Sequence, residues 1–185
     1  MIPVQPSAQN PAHPRQQQQP VDGKALRQVC GTFATGVTVI TTGGPGSYAA
    51  TTVNSFTSVS LEPPMVLFCL HRQSRLRPVL LESGGFTVNF LTRQQEPLAW
   101  AFAGRESANI EDVPHHRSPQ GPPVLSEALA FLSCRLTEEY DGGDHSIVLG
   151  EVVGLGAPGQ DADPLIFYRG SMRALEERLT GAPRR

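Results

Sequence analysis

Short apolar runs recur along the chain, separated by glycine, proline and polar residues at spacings that suit strands better than long helices. Val37 to Thr42 (VTVITT) is dominated by β-branched side chains, which fit the pleated surface of a strand. Gly43-Gly44-Pro45-Gly46 predicts a turn, so Tyr48 to Asn54 returns as the second arm of a hairpin. Pro63-Pro64 forbids helix and precedes Met65 to Leu70 (MVLFCL), a continuous apolar run that predicts a strand buried on both faces. Phe86 to Leu91, Ala128 to Leu136, His145 to Leu155 and Leu165 to Arg169 predict further strands, with Glu138 to Asp144 joining the middle two. Asp22 is placed to cap a helix through Leu26, Val29 and Cys30 toward Phe33, with Gly36 ending it. Leu76 to Leu81 and Gln94 to Phe102 read as short helices, and proline-punctuated residues 104–123 as a polar loop. Many strands, few helices and no regular βαβ alternation predict a mainly β fold, a β-barrel with peripheral helices.

One stretch departs from this pattern. Ala50 to Ser60 (ATTVNSFTSVS) is apolar at only four of its eleven positions, yet it lies between two clear apolar strands. Thr51, Thr52, Asn54, Ser55, Thr57 and Ser58 offer hydrogen-bond donors and acceptors without bulk. A rigid strand and the bend after it would present such groups to a flat polar ligand; a Ser/Thr-rich turn between strands is the plainer alternative.

Composition narrows the setting. At 185 residues the chain has material for one domain. Its formal net charge of −2 steers it toward neither nucleic acid nor an anionic membrane, and no apolar run approaches the ~20 residues of a membrane span. Residues 1–20, rich in Gln and Pro, predict a disordered tail without the apolar centre of a signal peptide. Residues 21–175 would form the folded domain and residues 176–185 a frayed, charged end. Cys30, Cys69 and Cys134 are widely spaced within apolar patterns, as expected for small buried side chains in a reducing cytoplasm.

Several chemistries find no support. His115 and His116 are adjacent, without a carboxylate or Cys at ligand spacing, so no metal site is expected. No GxSxG turn is present, and Gly154-Leu155-Gly156 with Gly159 lacks the full GxGxxG run into a helix. Three clusters remain. His71-Arg72-Gln73-Ser74, at the end of a buried strand, supplies cationic, amide and hydroxyl donors suited to phosphate. Phe102-Ala103-Gly104-Arg105 places a glycine and a cation at a helix end, where a cap and a surface arginine would look the same. Gly142-Gly143-Asp144-His145 is a tight turn that delivers an imidazole to the start of a strand, with Asp144 placed to orient it.

Together these segments resemble the short-chain flavin reductases. Gly31 to Thr42 (GTFATGVTVITT) is similar to the opening of that family, and Thr52 to Ser60 with Pro63-Pro64 to its flavin-binding strand and bend. Phe86 to Leu91 and Leu98 to Ala103 resemble the next strand and helix. Gly143-Asp144-His145 with Gly150-Glu151-Val152 resembles the GDH…GEV signature, and Pro164 to Gly170 (PLIFYRG) the closing PLxYxRG strand. The resemblance runs from about Ala25 to Leu175, in order. It implies an FMN-binding split β-barrel, usually homodimeric. Such a protein uses NADH or NADPH to reduce FMN or FAD, which then diffuses to a partner flavin-dependent monooxygenase.

Carried over by motif, the flavin would lie against Ala50, Thr51, Thr52, Val53 and Asn54 and the bend with Ser55, Thr57 and Ser58. Its phosphate would meet His71, Arg72, Gln73 and Ser74, with Phe102, Ala103, Gly104 and Arg105 closing the far side. His145, with Phe167, Tyr168, Arg169 and Gly170, would line the nicotinamide side, His145 positioning the nicotinamide rather than donating a proton. The sequence departs from the family at two positions: His71 stands where Asn is expected, and Asn54 where Ser is frequent. A flavin carrier without turnover is a second reading, for which the nicotinamide side would have no use. A split-barrel oxidase of a pyridoxine-type phosphate ranks last, because it calls for more cations around a second phosphate.

Overall fold

The computed structural model describes residues 20–105, 108–118, 121–159 and 161–175. The expected tail and frayed end fall almost wholly outside them. The chain is mainly β. Its centre is a seven-stranded antiparallel sheet in the order β3-β2-β6-β9-β10-β5-β4. The strands are β2 (Thr38–Thr42), β3 (Ala49–Val53), β4 (Thr57–Leu61), β5 (Pro64–His71), β6 (Gly85–Phe90), β9 (Ala130–Gly142) and β10 (His145–Gly156).

The end strands β3 and β4 are consecutive in sequence. Only Asn54, Ser55 and Phe56 separate them, so the sheet must curl until its two edges lie side by side, unpaired with one another. That curl makes a barrel with a seam. A second, small sheet pairs β1 (Thr35–Gly36), β11 (Leu165–Tyr168) and β12 (Ser171–Ala174), and a hairpin is formed by β7 (His115–Ser118) and β8 (Gly121–Leu125).

β2 is buried along its whole length because it has a core on each side. Ile40 joins Phe68, Leu76, Leu80, Phe86, Val88 and Val148 in one cluster; Val39 joins Val37, Leu91, Ala99, Phe102, Ile110, Leu125 and Leu165 in the other. The adjacent residues 39 and 40 point to opposite faces, as strand geometry requires. In the first cluster Phe68 and Phe86 meet edge to face at 5.1 Å. The ring of Phe86 lies where a Cβ at Gly150 would stand, with Cζ 2.5 Å and Cε1 2.6 Å from that position. The polar groups of the core are paired. Asn89 donates to the carbonyl of Val39 and the hydroxyl of Thr41 and accepts from the N–H of Leu125, tying β6 to β2 and β8.

Helix α1 (Gly23–Cys30) is capped by Asp22, which accepts from the N–H of Ala25 at 3.0 Å, and it ends at Gly31 rather than Gly36. None of its residues is buried: Leu26 and Val29 are 55% and 68% exposed, and Phe33, just after the helix, is 76% exposed. Helix α2 (Leu76–Ser83) presses Leu76 and Leu80 into the first core and stops at Gly84, whose φ of 67° is the left-handed value glycine adopts without strain. The expected third helix is three successive turns: a 3₁₀ turn Arg93–Gln95, α3 (Glu96–Trp100), and a wide turn Ala101–Arg105 that breaks at Gly104.

Other expectations need correction. Residues 104–123 are more than a loop, because Ile110–Asp112 forms a 3₁₀ turn and β7 and β8 pair. The prolines did not prevent pairing: Pro122 and Pro123 accept from the buried hydroxyls of Thr87 and Thr41. Residues 57–61 form the edge strand β4, and Ser171–Ala174, within the expected domain but not expected as a strand, pairs with β11. β5 is deeply buried on one side only, with Val66, Phe68 and Leu70 inward and Met65, Leu67 and Cys69 half-buried. The β9–β10 connection shrinks to Gly143 and Asp144. Of the cysteines, all free, only Cys134 is buried; Cys69 is intermediate and Cys30 exposed.

Candidate active site

A cavity of about 240 Å³ opens at the barrel seam, between the edge strand β3 and the adjoining ends of β5 and β10. Thr51, Thr52, Val53, Asn54 and Ser55 form one wall, Cys69, Leu70, His71 and Ser74 another, and His145 completes the lining. Segments some 20 to 90 residues apart are therefore brought together: the hydroxyl-rich strand, the His71 to Ser74 cluster and His145 meet here, whereas the Phe102 to Arg105 cluster does not. Among the described residues, no carboxylate lines this cavity.

The hydroxyl-rich wall is partly structural. Thr52 donates to the carbonyl of Ala99 at 2.8 Å, fastening β3 to α3. The hydroxyl of Ser55 accepts from the N–H of Cys69 at 2.9 Å and donates to its carbonyl at 3.2 Å, so one side chain stands in for a neighbouring strand at the seam. Asn54 donates to the hydroxyl of Thr35 at 3.3 Å. Because β3 is an edge strand, one row of its backbone N–H and C=O groups has no strand partner.

At the opposite wall, His71 ends β5 and pairs in register with His145, the first residue of β10. Their rings meet edge to face, centroids 5.2 Å apart. Nδ1 of His71 accepts from the N–H of Gln73, and Nδ1 of His145 lies 2.7 Å from Oδ1 of Asp144. That hydrogen bond holds the Asp144 carboxyl below the usual carboxylate range. Arg72 turns away from the cavity. Its N–H donates to the carbonyl of Asp144 and its guanidinium pairs with Asp141, which also accepts from the N–H of Gly143. The Asp144-His145 turn is thus clamped from the end of β5. The Gly143 and Arg72 bonds hold Asp141 below its usual range, and Arg77 does the same for Glu139 beside it.

The remaining sequence candidates occupy other places. Ala50, Thr57, Ser58 and Gln73 flank the cavity without lining it. Phe102 is buried in the second core, Ala103 and Gly104 are exposed after α3, and Arg105 ends that turn, its side chain outside the described residues. Phe167 pairs with Thr35, the residue that holds Asn54, so β11 stands one contact away from the cavity wall. Arg169 and Gly170 follow in a turn with φ of 48° and 77° and line a separate cavity of about 660 Å³ with Lys24, Arg27, Gln28, Gly31 and Thr32. The sequence reading did not single out Cys69, Leu70, Thr35 or Ala99 as part of the site. The period of two along β5 carried a signal for Cys69, which shares a side with His71; the Thr35 and Ala99 contacts had none.

Comparison with known proteins identifies the family. Residues 30–176 match the flavin reductase like domain. The chain is 37% identical over 161 residues to the flavin-dependent monooxygenase reductase subunit HsaB of Mycobacterium tuberculosis, covering 86% of each. It is 37% identical over 150 residues to the FMN reductase (NADH) SmoA of Agrobacterium fabrum, covering 81% of this chain and 84% of that one. Among solved structures, flavin reductase PheA2 superposes with a TM-score of 0.79 at 36% identity, covering 85% of this chain and all of the other. The NADH:FAD oxidoreductase SgcE6 of Streptomyces globisporus C-1027, in complex with NAD and FAD fragments, gives 0.79 at 36%, covering 88% and 99%. With the split barrel, the small-hydroxyl strand and the GDH turn in the family's order along almost the whole domain, the chain belongs to the flavin reductase-like family.

Proposed function

We propose that residues 21–175 form an NADH-dependent flavin reductase that reduces FMN or FAD and releases it to a separate flavin-dependent monooxygenase. The observation that carries this reading is the meeting of β3, His71 and His145 around one cleft, lined by no carboxylate among the described residues, in a chain of this family. Its relatives include an FMN reductase (NADH) and a reductase subunit of a monooxygenase, which supports both the donor and the partner.

The donor set fits a flavin. The ring system presents carbonyl acceptors and an N–H at one edge, and the unpaired backbone row of β3 offers complementary groups at strand spacing. Anionic phosphate is served by Ser74 and His71, with no lining carboxylate among the described residues to repel it. At about 240 Å³ the cleft lies below the roughly 300–1,000 Å³ of sites that enclose a whole ligand, so part of a flavin would remain on the open surface. That suits a flavin that leaves as product.

Bound flavin supplies the two-electron acceptor for hydride from the nicotinamide, so the protein needs no nucleophile of its own. The chain's residues orient and exclude. β3 fixes the plane of the cleft, Ser55 keeps the seam shut beneath it, and the Asp144-clamped His145 sets one side for the nicotinamide. A homodimer accords with the exposed apolar side chains Leu26, Val29 and Phe33 of α1 and the residues after it. A cytoplasmic setting accords with three free cysteines, and among the described residues no helix is long and apolar enough to cross a membrane.

The test is a spectrophotometric assay of NADH or NADPH paired in turn with FMN and FAD. Loss of nicotinamide absorbance that requires added flavin is expected, with NADH preferred. Flavin binding without turnover for any pair would replace this reading with that of a carrier.

A further inference from the structure

The two imidazoles of the cavity are held by partners of opposite kind. Nδ1 of His71 accepts from the backbone N–H of Gln73 at 3.1 Å. A ring nitrogen that accepts carries no proton, so neutral His71 holds its proton on Nε2. Nδ1 of His145 lies 2.7 Å from Oδ1 of Asp144. An ionised carboxylate can only accept, so this Nδ1 is the donor and the neutral ring has its lone pair at Nε2. Among the described residues no protein group engages either Nε2, and both side chains line the cavity.

We propose that His71 and His145 act as a matched pair, His71 presenting an Nε2–H donor and His145 an Nε2 lone pair to the two ligands that meet there. The identity of those ligands rests on the flavin reductase reading; the tautomers rest on hydrogen bonds within the protein. A fixed donor at His71 suits an oxygen-rich acceptor, the phosphate or a ring carbonyl of the flavin. A fixed acceptor at His145 suits the N–H₂ of the nicotinamide carboxamide. His145 therefore selects a carboxamide over a carboxylate, because a dinucleotide carrying nicotinic acid would set an anionic oxygen against the lone pair. Asn, expected at position 71 from the family pattern, would also offer an N–H, so the two residue types converge on one function there.

The tautomers can be read without ligand, by long-range ¹H–¹⁵N correlation NMR on the full chain labelled at the histidine ring nitrogens, at a pH where the spectra themselves show both rings neutral. Assignments come from the signals lost in His71→Asn and His145→Asn. The expected result is a protonated Nε2 and bare Nδ1 for His71, and the reverse for His145. A proton on Nδ1 of His71, or averaging of both rings, overturns the pair. In a second arm, FMN binding is followed by fluorescence quenching. His71→Asn should stay within about threefold of the unmodified protein and His71→Phe weaken about tenfold or more, the loss of one charge-assisted hydrogen bond. Equal weakening by both substitutions overturns the donor role. Binding of neither FMN nor FAD by the unmodified protein would overturn the flavin reading itself, separately from the ligand-free NMR result.

Discussion

His71 and His145 sit directly opposite one another in the β5–β10 ladder, their rings edge to face with centroids 5.2 Å apart. Their backbones belong to the same rigid sheet, yet His71 is fastened to the turn leading into α2 and His145 to the β9–β10 turn. Substituting one should therefore leave the other in place. His145→Ala should raise the apparent KM for NADH by about tenfold, the scale of one lost hydrogen bond with its positioning effect, and that for flavin much less. Steady-state kinetics with each substrate varied in turn decides this; equal effects on both would remove the nicotinamide role.

Asp144 gives the site a pH signature. Its carboxyl is held below the usual carboxylate range by the hydrogen bond to His145. A carboxylate lowered on folding contributes fully above its unfolded value, and that contribution disappears as pH falls through the lowered value. Asp144→Asn should accordingly lose a small contribution to unfolding free energy that is constant from neutral pH down to the ordinary carboxylate range, read from denaturant midpoints of both proteins at each pH. The two profiles should converge only below the ordinary carboxylate range. Convergence already near neutrality would mean that another group governs the imidazole.

Gly150→Ala should destabilise the barrel by about 1–3 kcal/mol, the usual cost of inserting a methyl into a filled core. The new Cβ would stand 2.5 Å from Cζ of the fully buried Phe86 and 3.1 Å from the carbonyl of Arg135, so neither wall can easily yield. Denaturant midpoints at unchanged slope would measure the loss.

Ser55→Ala removes a donor and an acceptor at once, leaving both backbone groups of Cys69 without their partner at the seam. A loss of about 1–3 kcal/mol in unfolding free energy is expected, accompanied by weaker flavin binding. Unchanged binding at reduced stability would show that the seam does not shape the cleft.

The cysteines offer a check on the core. Burial pushes the Cys134 thiol up to about 12, so at neutral pH it holds almost no thiolate, whereas Cys30 is exposed. Timed reaction with a thiol reagent should modify Cys30 quickly and Cys134 only on unfolding.

The strands were legible where apolar side chains alternate or cluster: β2, β5, β6 and β10 were all expected within a residue or two of their observed ends. What sequence could not show was pairing imposed by distant partners. Residues 57–61 look like a turn because they are polar, and they form a strand because β5 offers them an edge. Prolines 122 and 123 look like loop, yet their carbonyls accept from threonines of the core. At the site, residues 51–55, 71, 74 and 145 stood out by side-chain chemistry and position, and the motif resemblance added their ligand roles. The diversion of Arg72 to Asp141 was invisible, because it depends on a β9–β10 hairpin longer than the apolar pattern suggested.

The three-residue link from β3 to β4 makes the cleft a by-product of closure rather than a hollow inside a finished wall. Its lining is assembled only when the first hairpin, the middle of the chain and the β9–β10 turn have all found their places. A ligand seated there behaves as a clasp across the two free edges. Occupancy should then raise the unfolding temperature of the whole sheet with the logarithm of ligand concentration over Kd, and release of product should relax that clasp with each turnover.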